Sequence, residues 1–144
     1  METIVVGVDG SEGARAALEY ATREAALRRA QLRVVYAWQI SPVVYSSGYA
    51  PDLDEGFNEA AETLAREAIA AVKELDGTVE CEGEAVEGQP ALVLLREARD
   101  ADLIVVGNRG HGGFASLLLG SVSHQVVQHA HCPVTVVRGK NDDG

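Results

Sequence analysis

Short apolar runs alternate along this chain with stretches in which apolar residues return every three or four positions. Thr3-Ile4-Val5-Val6-Gly7-Val8-Asp9 is a β-branched run and predicts a buried strand. Ser11 is placed to cap the helix after it. There Ala14, Ala17, Leu18, Ala21 and Ala25 share one face, small enough to pack closely on a sheet. Arg33 to Trp38 reads as a second strand, and residues 39–52, with Pro42, Gly48 and Pro51, as a long loop. A second helix carries Phe57, Ala60, Ala61, Leu64, Ala68, Ala71, Val72 and Leu75 on one stripe, and Gly77 stops it. Thr78 to Glu87 is acidic and alternates poorly, which predicts an edge strand. Gly88-Gln89-Pro90 opens a third helix with Leu92, Leu95 and Ala98 inward and Val93 a further candidate. Asp102 to Gly107 is the clearest buried strand. A helix through Val122, Val126, Val127 and Ala130 and a last strand, Pro133 to Val137, complete the pattern.

Strands alternating with helices predict an α/β fold: a doubly wound, Rossmann-like, five-stranded parallel sheet with helices on both faces. The expected strand order is 3-2-1-4-5. Ligands of such sheets bind beyond the carboxyl ends of the strands, where the winding reverses. In this order the reversal falls between the strand ending at Asp9-Gly10-Ser11 and the strand ending at Gly107.

Composition narrows the partners. The chain has 144 residues, 47% hydrophobic and 24% charged, and a single domain over 1–138 with a disordered tail at 139–144 is expected. A net charge of −10 disfavours nucleic acid and anionic membranes, because no basic stripe offsets it. Acidic Glu2 and the early Asp9 do not resemble a secretion signal, and no apolar run reaches about 20 residues, so a cytoplasmic protein is expected. Cys81 and Cys132 lie far apart in sequence and read as reduced thiols.

The candidate chemistry lies between Gly107 and Ser123. Gly107-Asn108-Arg109-Gly110 is followed by Gly112, Gly113 and Gly120-Ser121: five glycines in fourteen residues, before Val122 and Ser123 continue into a helix. Glycines let amide groups approach a ligand, successive amides form an anion-binding nest, and the following helix adds its unpaired N–H groups. One helix-terminus contact at an exposed site is worth only about 0.3–1 kcal/mol, so several must act together. The stretch is not a Walker A loop, which needs Lys where Ser121 stands; Arg109 is the one strong cation inside it. Bound Mg²⁺ would help to offset a triphosphate. The competing reading is a glycine-rich turn that only closes a strand–helix connection.

The spacing Gly107-x-x-Gly110, nine residues, then Gly120-Ser121 resembles the universal stress protein family. The likeness extends through Ser121-Val122-Ser123, through Cys132 to Val137 and back to Asp9-Gly10-Ser11. It implies membership of the ATP-binding subclass. On that resemblance Asp9 would take the ribose hydroxyls, the Ala37 backbone the adenine, and Gly107, Gly110, Gly120 and Ser121 the phosphates. Asn108 stands where serine is commoner, and its backbone is expected to do the work. Family members are usually homodimers.

Alternatives stay open at several of these residues. Asp9 could cap the first helix, and Ser121 could be an N-cap as well as a phosphate ligand. His111 could touch a phosphate or simply sit in an exposed loop. His124, His129 and His131 are weighed as a zinc site and set aside for lack of partners other than Cys132. Asp52, Asp54, Glu55 and Glu59 read as a solvated acidic face. The apolar strand at 133–137 would form a sheet edge that pairs with its copy. The function expected is an ATP-dependent regulator in stress response, with at most weak ATP hydrolysis. A slow ATPase, an autophosphorylating protein or a dimeric scaffold that does not use nucleotide are the alternatives. AMP, a cyclic nucleotide or FMN would fit a similar crevice.

Overall fold

Residues 1–9, 12–39, 52–108 and 120–139 are described by a computed structural model. In chain order the elements are β1 (Thr3–Val8), α1 (Glu12–Arg28), β2 (Gln31–Trp38), α2 (Asp52–Leu75), β3 (Cys81–Glu87), α3 (Pro90–Glu97), β4 (Leu103–Gly107), α4 (Ser121–His129) and β5 (Val134–Val137). All five strands are parallel, in the order β3-β2-β1-β4-β5. This is the expected doubly wound sheet, with the reversal between β1 and β4. The candidate loop from Arg109 through Gly110, His111, Gly112 and Gly113, together with Ser11 and residues 40–51, lies outside the described residues.

The strand pleat sorts the core into two layers. Ile4, Val6, Leu32, Val34, Leu103 and Val105 face α1 and α2, packing on Ala17, Ala21, Ala25 and Val72. Val5, Val35, Ile104 and Val106 face α3 and α4, packing on Ala91, Val93, Leu94 and Val126. Both faces of β1 and β4 are covered, so these strands read as unbroken apolar runs.

β2 begins two residues before the expected start because its first residue, Gln31, pairs with Thr3 of β1. In α3 the inward residues are Ala91, Val93 and Leu94, and Leu92 is 64% exposed, against expectation. The reason is Gly7: a Cβ there would come within 2.7 Å of the Leu94 side chain, so the bare glycine admits Leu94 to the sheet. Phe57 and Leu75 of α2 are also exposed. A helix of 24 residues is roughly 36 Å long and strands of seven or eight residues roughly 26 Å, so α2 is longer than the strands it packs on; Leu75 borders a cavity between α1 and α2. Gly88 turns the chain into α3 with φ +150, a value side chains rarely adopt.

Cys81 packs on the α1/α2 layer and Cys132 on the opposite one, and both thiols are free. Burial pushes the Cys81 thiol up to about 11 and raises that of Cys132. No described helix is long and apolar enough to cross a membrane.

Candidate functional site

The carboxyl ends of β1 and β4 meet where the sheet winding reverses. Gly107, the last residue of β4, lies against the first turn of α1: a Cβ on it would stand 2.7 Å from the Gly13 carbonyl oxygen. The helix end can come this close only because position 107 is bare. Gly13 was not singled out in the sequence; the small-residue run Gly13-Ala14 was its one signal.

Asn108 then joins three elements. Its N–H donates to the Val137 carbonyl at 2.9 Å, tying β4 to β5. Its carbonyl accepts from the Gly120 N–H at 2.6 Å and from the Ser123 hydroxyl at 2.9 Å, tying β4 to the start of α4. Ser123 also donates to the Gly120 carbonyl at 3.2 Å and is buried. Its hydroxyl therefore braces the entry to α4 from inside.

Gly120 is the N-cap of α4, with extended backbone (φ −72, ψ 171), and no side chain among the described residues caps the helix. The first helical hydrogen bond runs from the His124 N–H to the Gly120 carbonyl, 2.9 Å. The N–H groups of Ser121, Val122 and Ser123 therefore have no acceptor among the described residues. Ser121 is exposed and Val122 half-buried. An uncapped helix end is an anion site by its partial positive charge and its free donors.

Asp9 lies one residue past β1, half-buried, and its negative charge, after burial, helps to raise the Tyr36 hydroxyl above its ordinary range. Ala37, also half-buried, packs on the α3/α4 layer. Continuing the ladders Val8↔Tyr36 and Val6↔Val105 beyond their last pairs sets Asp9 level with Ala37 on one side and Asn108 on the other. Of the residues singled out, Asn108, Gly120 and Ser123 are in direct contact. Gly107 contacts α1, Asp9 and Ala37 stand at the same end of the sheet, and Arg109, Gly110, Gly112 and Gly113 lie outside the described residues.

A cavity of about 590 Å³ opens elsewhere, between α1 and α2, bordered by Val8, Leu18, Tyr36 and Ala68. It lies on the opposite face from Ala37 and does not include the α4 terminus. The convergence of backbone donors, rather than cavity size, marks the β1–β4 end as the candidate site. Among the described residues, two buried side-chain polar atoms, Trp38 Nε1 and Asn108 Oδ1, lack a partner.

Known proteins are similar to this chain in fold and sequence. A universal stress protein from Thermus aquaticus is 37% identical over 139 residues, covering 95% of this chain and 98% of that protein. One from Mycobacterium tuberculosis is 37% identical over 142 residues, covering 99% of this chain and 50% of its own length, so the chain spans about half of that relative. A solved universal stress protein in complex with cAMP superposes with a TM-score of 0.72 at 32% identity, covering 95% of this chain and 96% of that one. The model of the universal stress protein family matches residues 1–138, and the chain belongs to that family.

Proposed function

We propose that this protein binds an adenine nucleotide, ATP with Mg²⁺, across the β1–β4 end of the sheet and acts as a nucleotide-dependent regulator in stress response. The observation that carries this reading is the uncapped α4 terminus. Three adjacent amide donors, at Ser121, Val122 and Ser123, share one end of the sheet with Asp9 and Ala37. Phosphates would take those donors, the adenine would lie against Ala37, and the ribose would meet Asp9. The 32% identical relative solved with cAMP supports an adenine ligand. On a chain of net charge −10, Mg²⁺ would offset part of the phosphate charge.

The protein would act as a homodimer through β5. This outer strand is apolar and half-buried along its length. The Ile104 and Asn108 N–H groups donate to the Pro133 and Val137 carbonyls, so the intervening Val134 and Val136 turn their backbone groups outward.

Isothermal titration of the purified chain with Mg-ATP, ADP, AMP and cAMP tests the reading. Saturable heat is expected, strongest for ATP. Absence of heat for every adenine nucleotide, with mass spectrometry showing no retained ligand, contradicts it.

A further inference from the structure

Asn108 has spent its main chain inside the protein: N–H on Val137, carbonyl on Gly120 and Ser123. Only its carboxamide is left for other work. The residue is 3% exposed, and its Oδ1 is buried with no hydrogen-bond partner among the described residues. A buried acceptor left empty costs about 1–3 kcal/mol, so its retention asks for a reason. Strand alternation after Ile104 and Val106 sets Asn108 on the α3/α4 face, the face of Ala37. The continued registers set Asp9 between Ala37 and Asn108.

Charge decides which part of a nucleotide such an acceptor takes. A carbonyl oxygen beside a carboxylate repels phosphate oxygens, which have the α4 amides instead. A base lying on Ala37 is one strand further away. What remains between base and phosphates is a pair of hydroxyl donors, and Asp9 and Asn108 are a pair of acceptors. We propose that Asn108 Oδ1 is a specificity-determining acceptor for one ribose hydroxyl, making the site selective for ribonucleotides over deoxyribonucleotides. The inference rests on the nucleotide reading above and deepens it.

The test is a binding cycle by isothermal titration with ATP, 2′-deoxy-ATP and 3′-deoxy-ATP, on wild type, Asn108→Leu and Asn108→Asp. Leu keeps the branch and removes the acceptor; Asp keeps an acceptor. Wild type should lose roughly tenfold in affinity on removal of one of the two hydroxyls, the scale of one buried hydrogen bond. Asn108→Leu should lose the same tenfold for ATP and no longer distinguish that analogue. Asn108→Asp should still distinguish it. Thermal unfolding without ligand supplies a second readout: removing an unsatisfied buried acceptor should leave Tm level or higher in Asn108→Leu.

Equal binding of all three nucleotides by wild type overturns the inference while the nucleotide reading stands. So does a folded Asn108→Leu that loses ATP and both analogues alike. If wild type binds none of them, both readings fall. If Asn108→Leu does not fold, Asn108→Ala, which also lacks the acceptor, takes its place: unchanged discrimination between ATP and both analogues by a folded Asn108→Ala overturns the inference.

Discussion

The two outer strands of the sheet meet solvent in opposite ways. β3 presents Glu82, Glu84 and Glu87, all exposed, whereas β5 is Val134-Thr135-Val136-Val137, half-buried throughout. Charges on an edge repel a second strand; an apolar edge invites one. β3 is further occupied by side-chain contacts on the α3 face: Arg33 Nε lies 3.2 Å from Glu82, and its Nη1 donates to the Glu97 carbonyl at 2.9 Å. β5 pairs with β4 through backbone, its valines packing on the two core layers, and its last carbonyl is the one that Asn108 holds beside the candidate site. The contrast teaches where precision resides in this fold. Side-chain charge guards the β3 edge and tolerates change, while main-chain ties build the β4–β5 end and do not.

The strongest way to break the comparison is at β5. Val136→Pro removes an outward N–H without touching the β4 ladder. For the homodimer proposed through β5, sedimentation velocity should show dissociation at protein concentrations at least about 100-fold higher than for wild type, a loss of roughly 3 kcal/mol; a wild type that is monomeric contradicts the proposal. An unchanged dimer would move the interface elsewhere.

Next in size is a pair of glycine substitutions. In Gly107→Val the new Cβ meets the Gly13 backbone, which cannot swing aside, and overpacking of this kind costs about 1–3 kcal/mol. Tm should fall by roughly 10 °C. In Gly83→Ala the nearest atom, 2.8 Å away, is the end of the flexible Ile69 side chain. That change should stay within about 0.5 kcal/mol. Equal losses in the two variants would erase the distinction between backbone and side-chain ends of the sheet.

The smallest effect is a pH dependence at the β3 edge. A hydrogen bond with Glu97, then burial and the Glu97 charge, raise the Glu84 carboxyl above the ordinary carboxylate range. A raised carboxyl holds its proton better folded than unfolded, so stability falls as pH climbs from about 4.3 through the raised value. Glu84→Gln keeps the hydrogen bond without the charge. Its Tm should match wild type near pH 4 and exceed it slightly at pH 7, by a fraction of 1 kcal/mol because the site is largely solvated. A gain that is greatest at pH 4 would reverse the sign and the cause.

The same division explains what was legible in the sequence. The topology could be read because Ile4, Val5, Val6 and Ile104, Val105, Val106 are unbroken β-branched runs between helical periods, and parallel sheets buried on both sides demand that pattern. Leu92, Phe57 and Leu75 misled because periodicity ranks residues by angle around a helix. It does not register that Gly7 leaves a hollow for Leu94, that α2 is longer than the strands it packs on, or that Leu75 borders a cavity between α1 and α2. At the site, the glycine spacing pointed to Gly107 and Gly120. That Asn108 has both backbone groups engaged, while its Oδ1 has no partner among the described residues, depends on contacts with Val137 and Ser123, 29 and 15 positions away. No local pattern carries such information.

The central claim is that free amides at the start of α4 hold the phosphates of a nucleotide. Ser121→Pro tests it most directly. The preceding Gly120 is extended, as proline requires, and proline suits the first helical position, so the helix survives while one donor is lost. Titrated beside Ser121→Ala as control for the hydroxyl, Ser121→Pro should keep wild-type Tm and adenosine affinity yet bind Mg-ATP roughly tenfold more weakly. Undiminished ATP binding by a folded Ser121→Pro, or equal losses for ATP and adenosine, would contradict the account.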